Sequence, residues 1–299
     1  MSWRENFSDI IDENTPLKDL TTFKVGGHAK YFVRPRDAQE LAQVYKALVD
    51  DETCFRILGG GANLLIDDGV HDTPILYLDR LNTRQENSDG EFVLGAGLPF
   101  LKLVNETVRN GWAGLEGLAG IPGHVGGICT MNAGGRWGEF KDVVTWVEVA
   151  TPEGEVKMIP RENCGFAYRS SNLPGLVTAV GLKLERSVDA KETRAQLASF
   201  LKSKSGSQPL RASSAGCCFA NPPGRSVGQM VEELGLKGER RGAAEISDIH
   251  GNFILNLGGA RFDDVIALFE LIEDRVQQAF GITLRREVQI WRRDPASQS

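Results

Sequence analysis

The segment from Gly114 to Gly138, GLEGLAGIPGHVGGICTMNAGGRWG, places tight clusters of glycine among mainly apolar residues. Glycine loses more backbone freedom on folding than any other residue, so such a run is ordered only where its positive φ angles or its missing side chains are needed. The segment also lacks the Ser, Gln and Lys content of a flexible linker. It therefore favours ordered backbone lying against a ligand over the alternative, a set of turns in an ordinary sheet.

A second glycine cluster lies in Arg56 to Gly69, RILGGGANLLIDDG, between two short apolar runs. A turn with so few side chains can direct several backbone N–H groups at one anion, typically a pyrophosphate. The cluster is not a Walker loop, because no Gly-Lys-Ser/Thr follows, and it is not a Rossmann fingerprint, because no helix is predicted after it. The two clusters together indicate a dinucleotide held by glycine loops of a different fold.

Composition excludes several other classes of protein. The 299 residues are 41% apolar and 25% charged with a net charge of −6, which argues against nucleic-acid binding. The N-terminus lacks the apolar core of a secretion signal, and no apolar run approaches the ~20 residues of a membrane span. Five cysteines without CxxC spacing and four scattered histidines predict neither a disulfide framework nor a metal site. A cytoplasmic protein is expected.

Hydrophobic periodicity predicts mixed α and β structure. A strand over 29–33, a helix capped by Asp37 with Glu40 as its capping-box partner, and a strand over 55–58 predict a β-α-β opening with parallel pairing. Strands over 143–150, 156–159 and 176–184 are expected to be antiparallel. Helices over 190–204 and 263–280 and a last strand over 287–291 are expected towards the C-terminus.

Two short segments carry side chains suited to ligand binding or acid–base chemistry. Tyr168-Arg169 stands before a Pro-Gly turn, where the guanidinium could hold a carboxylate or phosphate by two hydrogen bonds; an exposed arginine at a strand end is the alternative. Gly216-Cys217 predicts a tight turn with a thiol at the start of a strand. That thiol could donate a proton or act as a nucleophile, or it could be a small core residue, as cysteines outside disulfides usually are.

Two further segments carry polar residues with structural or functional explanations. Asn252 and Asn256 flank an apolar strand, and asparagine is disfavoured within strands, so both are expected at its ends. There they could cap backbone or bind ligand, and capping is favoured. Glu287 follows two arginines at the start of the last strand; a salt-bridged surface group is more common in that setting than an acid catalyst.

Taken in order, these pieces closely resemble one family, the UDP-N-acetylenolpyruvoylglucosamine reductases, which are flavoenzymes of peptidoglycan precursor synthesis. The chain lacks the extra tyrosine-containing insertion after the YR motif, so it is similar to the shorter of two subtypes. The matching segments run from about Asn14 to Trp291 and read NTPL, TTFKVGGHA, LGGGANLLI, GLEGLAGIPGHVGG, MNAGG, YRSS, SAGCCFANP, GLKG, HGNFILN and EVQIW.

The resemblance implies an α+β fold. It consists of a two-part FAD-binding domain of the vanillyl-alcohol-oxidase (PCMH) type and a C-terminal α/β substrate-binding domain. By this resemblance the first FAD-binding subdomain occupies residues 1–78 and is joined by the last strand at 287–299. An antiparallel second subdomain occupies 79–188, and the substrate-binding domain occupies 189–286.

The resemblance further implies FAD and NADPH as cofactors and UDP-N-acetylglucosamine enolpyruvate as a small-molecule substrate, reduced to UDP-N-acetylmuramate. A monomer is expected, with no nucleic-acid, membrane or metal partner. The residues that match the family's FAD-binding positions are Gly59, Gly60, Gly61, Ala62, Asn63, Leu64, Gly120, Ile121, Pro122, Gly123, Gly126, Gly127, Asn132, Ala133 and Gly134.

The family reaction leaves an enolate that needs a cation to steady its charge and an acid to protonate it. Arg169 matches the family arginine that holds the substrate carboxylate, and Glu287 matches the glutamate that polarises the same group as a neutral acid. Tyr168 and Asn221 match substrate-binding positions, Asn221 beside the UDP moiety.

The chain departs from the family at three positions. The usual motif reads GS-hydrophobic-FKNP, whereas this chain has GCCFANP, with Cys217 in place of the serine acid and Ala220 in place of the lysine. His124 stands where Thr or Ser is usual. Because Arg169 and Glu287 are kept, we expect the Cys217 thiol to replace the hydroxyl as acid.

Two alternatives to this interpretation are open from the sequence. The chain could be an FAD oxidase of the same fold acting on an alcohol or sugar. It could instead be a flavin-binding or nucleotide-sensing protein without catalytic activity, in which Cys217 marks an activity that has been lost. Cys218, one position after Cys217, is expected to face the core.

Overall fold

The computed structural model describes residues 2–293, which form seven α-helices and 21 strands. The helices are α1 (Trp3–Asn6), α2 (Ala38–Asp50), α3 (Phe100–Arg109), α4 (Val125–Thr130), α5 (Ala190–Ser207), α6 (Val227–Glu233) and α7 (Phe262–Phe280). The strands are β1 (Ile11–Pro16), β2 (His28–Val33), β3 (Arg56–Leu58), β4 (Leu64–Ile66), β5 (Val70–His71), β6 (Ile75–Tyr77), β7 (Arg84–Glu86), β8 (Glu91–Gly95), β9 (Trp112–Ala113), β10 (Gly134–Gly135), β11 (Gly138–Glu139), β12 (Val144–Ala150), β13 (Val156–Pro160), β14 (Leu176–Lys183), β15 (Glu185–Arg186), β16 (Phe219–Ala220), β17 (Arg240–Arg241), β18 (Ala244–Ile246), β19 (Ile254–Asn256), β20 (Arg285–Arg286) and β21 (Gln289–Trp291).

The described residues fall into two units, each with its own hydrophobic core. The first unit contains Tyr31–Gly60 and Thr73–Ser203, with the described residues up to Glu13. The second contains Asn14–Lys30 and Gly61–Asp72, with the described residues from Lys204 onward.

The β-α-β opening forms in the first unit as predicted. Asp37 caps α2 by accepting a hydrogen bond from the Glu40 backbone N–H at 2.8 Å. The Glu40 carboxylate, however, accepts from the Arg36 backbone N–H at 2.6 Å, so the predicted reciprocal capping box does not close on Asp37. Beside α2, β6 pairs in parallel with the end of β2 and with β3, which confirms the expected parallel pairing.

A five-stranded antiparallel sheet completes the first unit. Its order is β13-β12-β14-β8-β7, so the three strands predicted over 143–184 lie side by side. Helix α3 ends before Gly111, whose φ of +79° lets the chain leave the helix in a left-handed turn. The buried side chains of α2, α3 and the sheet share one core.

Helix α7 is the main helix of the second unit. It buries one apolar stripe and ends at Gly281, whose φ of +68° gives a left-handed cap of the kind that favours glycine. The second unit also contains the three-stranded β17-β18-β19 sheet and the parallel pair of β4 and β21.

The last predicted strand differs from the observed structure. Instead of one strand over 287–291, two short strands form, and Glu287 and Val288 connect them. The reason is that β20 pairs antiparallel with β16, whereas β21 pairs in parallel with β4, so the chain changes partner at Glu287. The part of the predicted segment over 294–299 lies outside the described residues.

The division between the units falls within α5. Leu197 packs against the first core and Phe200 stacks on Trp137 with ring centroids 4.9 Å apart, so the first part of the helix belongs to the first unit. The domain limits expected at 78 and 188 remain predictions. None of the helices in residues 2–293 has the length and apolar composition needed to cross a bilayer.

Candidate active site

The two glycine clusters meet within the first unit. A Cβ atom on Gly60 would lie 2.6 Å from the Gly123 Cα and 2.8 Å from the His124 backbone nitrogen, so only glycine fits there. On Gly59 and Gly127, by contrast, a Cβ would find no described atom within 4 Å. The loops are therefore tightly packed on one side and present bare backbone on the other, as a backbone cradle for a phosphate-containing ligand requires.

Hydrogen bonds to neighbouring segments fix the second loop. The Gly123 carbonyl accepts from the Phe100 N–H at 2.9 Å, and the Gly126 N–H donates to the Ala96 carbonyl at 2.8 Å. A Cβ on Gly126 would lie 2.9 Å from the Ala96 Cβ, so this glycine is needed for close packing. Of the predicted loop residues, Gly126 thus serves the fold, whereas Gly127 stays exposed at the start of α4.

His124 lies between these glycines and Tyr77, with ring centroids 6.1 Å apart. Its Nδ1 is buried and has no hydrogen-bond partner within residues 2–293. Burial lowers the pKa of His124, an effect that Asp79 opposes, so the ring is neutral near pH 7. A neutral imidazole with an unpartnered nitrogen beside bare glycine backbone suits contact with the oxygen atoms of a dinucleotide.

The remaining residues of the first glycine cluster belong to the second unit. Gly61 has a φ of +60° and packs against backbone, because a Cβ there would lie 2.1 Å from the Leu20 carbonyl oxygen. Asn63 donates from Nδ2 to the Glu287 carbonyl at 3.1 Å, and Leu64 begins the strand that pairs with β21. Ala62 is half-buried between them. The Asn63 side chain thus ties this turn to the Glu287 segment.

In the first unit, Asn132 joins the MNAGG loop to the YRSS turn. It is fully buried, and its Nδ2 donates to the Ala167 carbonyl at 3.0 Å while its Oδ1 accepts from the Lys141 N–H at 3.0 Å. The same Nδ2 donates to the Glu139 carboxylate at 3.1 Å. The side chain expected to contact the cofactor is therefore engaged within the protein. Ala133 and Gly134 continue the loop beside it, half-buried.

Arg169 is held at the edge of the same loop. Its Nη2 donates to the Gly134 carbonyl at 2.8 Å, and its guanidinium carbon lies 5.1 Å from the ring centroid of Tyr168, which is 59% exposed. Arg169 and Asn132 have φ values of +54° and +38°, which are uncommon for residues other than glycine. Such conformations cost energy and concentrate at functional sites.

In the second unit, Gly216 has a φ of +81° and forms the predicted turn before Cys217. Cys217 is half-buried, whereas Cys218 is 3% exposed, and burial raises the pKa of the Cys218 thiol so that it stays protonated. The predicted core position of Cys218 is confirmed.

Glu287 lies on the chain segment next to the cysteine pair. Its backbone N–H donates to the Cys218 carbonyl at 2.8 Å, where β20 pairs with β16. The neighbouring Arg286 forms a two-pronged ion pair with Glu273, with both distances 2.6 Å. The second unit therefore brings the Glu287 backbone to the residue that directly follows Cys217.

Asn221 and Ala220 follow the cysteine pair. Asn221 is exposed, and its Oδ1 accepts from the Val227 N–H at 3.0 Å, which anchors the start of α6. Ala220 is buried at 8% exposure. The contribution of Asn221 to substrate binding remains a prediction.

Asn252 is a residue whose role the sequence leaves open. It is 2% exposed and forms hydrogen bonds through its side chain to both backbone groups of Phe219. Asn256, in contrast, holds the carbonyls of Phe23 and Lys24. Both side chains bind backbone groups, as the capping interpretation predicts. The sequence does not predict that Asn252 is buried against the GCCF segment.

The structure thus distributes the predicted site residues over the two units. The first holds Gly59, Gly60, the 120–127 and 132–134 loops, Tyr168 and Arg169; the second holds Gly61–Leu64, Cys217, Asn221 and Glu287. Over residues 2–293, no cluster of three or more His, Cys, Asp and Glu side chains is placed to bind a metal ion.

Comparison with known families identifies the class. Residues 29–159 match the FAD binding domain family. The bare backbone at Gly59 and Gly127 and the unpartnered His124 nitrogen fit such a cofactor. The fold and site define a flavin-dependent oxidoreductase, with a two-part FAD-binding domain followed by a separate C-terminal domain.

The C-terminal part and full-length relatives identify the family. Residues 208–291 match the C-terminal domain of UDP-N-acetylenolpyruvoylglucosamine reductase. The chain is 42% identical over 280 residues to that reductase from Anaeromyxobacter sp. strain Fw109-5, covering 93% of this chain and 87% of the relative. It is 36% identical to the reductase from Protochlamydia amoebophila strain UWE25, covering 92% of each.

A solved structure agrees with these matches. The crystal structure of UDP-N-acetylenolpyruvylglucosamine reductase from Thermus caldophilus superposes with a TM-score of 0.81 at 39% identity, covering 94% of this chain and 100% of that one. The chain belongs to the UDP-N-acetylenolpyruvoylglucosamine reductase family, and the predicted α+β flavoenzyme fold is confirmed.

Proposed function

We propose that this chain reduces UDP-N-acetylglucosamine enolpyruvate to UDP-N-acetylmuramate with FAD and NADPH, in peptidoglycan precursor synthesis. Membership of the family supports the substrate and both cofactors. The observation that carries the proposal is Arg169, whose Nη2 donates to the Gly134 carbonyl at 2.8 Å and whose φ is +54° in the tight turn closed by backbone hydrogen bonds between Ala167 and Ser170. An arginine kept in an unfavourable conformation beside a cofactor loop indicates a functional constraint.

The glycine loops over 59–64, 120–127 and 132–134 would hold the cofactor. When bound, FAD supplies hydride transfer from NADPH to the terminal carbon of the enolpyruvyl group. Gly59 and Gly127 contribute bare backbone to this face, and His124 contributes a neutral ring nitrogen.

Arg169 is assigned to the substrate carboxylate. A guanidinium carries five N–H donors in a planar fork, enough to keep the bond to Gly134 and still hold a carboxylate. Its positive charge stabilises the negative charge that develops on the enolate as the substrate is reduced. Tyr168, whose ring lies beside the guanidinium, and Asn221 are assigned to substrate binding.

Cys217 is assigned as the acid. Its S–H bond breaks as a C–H bond forms at the carbon next to the one that receives the hydride, and the thiolate then regains a proton from solvent. Glu287, whose backbone N–H donates to the Cys218 carbonyl, is assigned to polarise the substrate carboxylate.

Anaerobic half-reactions test the function directly. The purified protein with bound FAD is reduced by NADPH without oxygen and then mixed with UDP-N-acetylglucosamine enolpyruvate while the flavin absorbance is followed. Rapid return of the oxidised spectrum is expected. A flavin that stays reduced with this substrate but is oxidised by air would instead favour an oxidase or a flavoprotein without this activity.

We further infer that the protein acts as a cytoplasmic monomer. The absence of a disulfide between any of its five cysteines, all within the described residues, supports a reducing compartment. One chain contains every residue assigned above, which supports a monomer. Sedimentation equilibrium and cell fractionation test the two statements separately.

A further inference from the structure

We propose that Asn252 is a positioning residue that sets the location of the Cys217 thiol. The proposal rests on the proposed function in one respect, the role of Cys217 as acid. Asn252 itself is assigned no contact with substrate or cofactor; it acts through the backbone that follows Cys217.

Three hydrogen bonds join Asn252 to the two residues directly after Cys217. Its Oδ1 accepts from the Phe219 N–H at 3.0 Å, and its Nδ2 donates to the Phe219 carbonyl at 2.8 Å. Its backbone carbonyl accepts from the Cys218 N–H at 2.8 Å. On this edge of the Cys218–Phe219 segment, the Asn252 side-chain amide therefore makes the two backbone hydrogen bonds that a residue of a neighbouring strand would make.

The opposite edge of the same segment is also held. The Cys218 carbonyl accepts from the Glu287 N–H at 2.8 Å, and β16 pairs with β20. Cys218 and Phe219 are thus fixed from both sides, and Phe219 is 1% exposed in the second core. Because a planar peptide bond joins Cys217 to this segment, the segment fixes the position of the Cys217 Cα from which the thiol side chain extends.

Asn252 is fixed in turn by His250. The Asn252 N–H donates to the His250 Nδ1 at 3.1 Å, and the His250 ring packs against Phe253 with centroids 5.1 Å apart. Gly228 gives the ring its space, since a Cβ there would lie 2.8 Å from the His250 Cε1. A rigid supporting shell of this kind is what holds a reacting group in place.

Loss of the Asn252 amide leaves the N–H and carbonyl of Phe219 without these partners in a buried site. Because unpaired buried backbone groups are costly, the segment is expected to shift until they find new partners. Displacement of a catalytic group by about 1 Å can cost about 100-fold in rate. The expected signature is slow protonation chemistry with intact cofactor chemistry.

Asn252→Ala is compared with Asn256→Ala in the FAD-bound enzyme. Asn256 is a matched control because it is also a buried asparagine and is the last residue of β19, which begins two residues after Asn252. Its side chain donates to the carbonyls of Phe23 and Lys24 instead of binding the cysteine segment. Stopped-flow absorbance gives the rate of flavin reduction by NADPH and of reoxidation by UDP-N-acetylglucosamine enolpyruvate. Peptide mass spectrometry gives the alkylation rate of Cys217 by iodoacetamide as a function of pH.

For Asn252→Ala, reoxidation is expected to slow about 10- to 100-fold while reduction by NADPH is unchanged. The pH profile of Cys217 alkylation is expected to shift. Asn256→Ala is expected to lower stability without either effect. Equal behaviour of the two variants in both assays would overturn the proposal.

Asn252→Asp covers the case in which the alanine variant does not fold. It keeps the acceptor for the Phe219 N–H and removes the donor to the Phe219 carbonyl, so the same two effects are expected from it. If the wild-type enzyme is not reoxidised by the substrate, the proposed function fails. The alkylation comparison then still decides the role of Asn252, and an unshifted profile rejects it.

Discussion

Gly60 contacts Gly123 through backbone alone: a Cβ on Gly60 would lie 2.6 Å from the Gly123 Cα. Both residues belong to the first unit, and they come from the two glycine clusters that are separate in the sequence. The contact explains why position 60 needs a residue without a side chain. The second loop fills the space that a side chain at this position would occupy.

Gly60→Ala is therefore expected to destabilise the protein even without cofactor. The added methyl group must displace backbone at Gly123 and His124, and forced overpacking of this kind costs about 1–3 kcal/mol. Thermal unfolding of the FAD-free protein measures the loss. An unfolding temperature equal to that of the wild type would show that the loops separate at no cost.

Gly59→Ala is expected to behave in the opposite way. No described atom lies within 4 Å of a Cβ at this position, so the FAD-free protein should keep its stability within about 0.5 kcal/mol. A methyl group on the cradle face should nevertheless weaken FAD binding, measured by titration of the FAD-free protein. Gly206→Ala, also without a close neighbour but on α5, is the control that should bind FAD normally. Unchanged FAD affinity in Gly59→Ala would remove Gly59 from the cofactor face.

Much of the fold could be predicted from local patterns. The capping residue Asp37 is a short-range signal, and α2 begins directly after it. The helix predicted over 263–280 likewise forms as α7, within one residue of the predicted bounds. The break at Glu287 could not be predicted, because it depends on β16 and β4, which are distant in sequence and draw the two halves of the segment to different partners.

The site could be predicted less completely than the fold. Glycines predict bare backbone, but the sequence does not show which of them are also needed for close packing, as Gly126 is against Ala96. Asn132 and Asn252 look like ligand-binding or capping groups in sequence, yet their amides are used to join distant backbone segments. Burial and partner choice for such side chains are tertiary properties, absent from any local pattern.

Cys217→Ser is expected to keep activity and change its pH dependence. A cysteine thiol ordinarily loses its proton near pH ~8.5, whereas a serine hydroxyl stays protonated throughout the accessible range. The wild-type reoxidation rate should therefore fall at alkaline pH, and the fall should be absent in the serine variant. Cys54→Ser, which changes an exposed cysteine, is the control. The same fall in reoxidation rate at alkaline pH in Cys217→Ser and in the wild type would contradict the assignment of Cys217 as the acid.

Arg169→Lys is expected to impair the substrate half-reaction selectively. A lysine ammonium lacks the planar fork needed to keep the Gly134 bond and hold a carboxylate bidentately. Loss of one charged hydrogen bond, worth about 1.5–3 kcal/mol, lowers kcat/KM by about 10- to 100-fold.

Flavin reduction by NADPH should be unaffected in the same variant. Arg161→Lys offers a matched control, because Arg161 is exposed and also donates to a backbone carbonyl, that of Lys141 at 2.9 Å. Equal losses in the two half-reactions of Arg169→Lys would point to a general structural defect.

His250 should make the protein less stable in mildly acidic solution. Burial, with a smaller contribution from Lys237, lowers the pKa of His250 below the value of about 6.5 that the unfolded chain has. Below that pH the unfolded chain takes up a proton that the folded protein does not bind, so stability falls as the pH drops. Above it both states are neutral and the effect vanishes.

Thermal unfolding at about pH 7.5 and about pH 5.5 measures this loss. In His250→Gln the loss between the two pH values should be smaller, because glutamine does not titrate and can still offer an acceptor to the Asn252 N–H. If His250→Gln and the wild type lose the same stability on acidification, His250 is protonated as readily in the folded protein as in the unfolded chain.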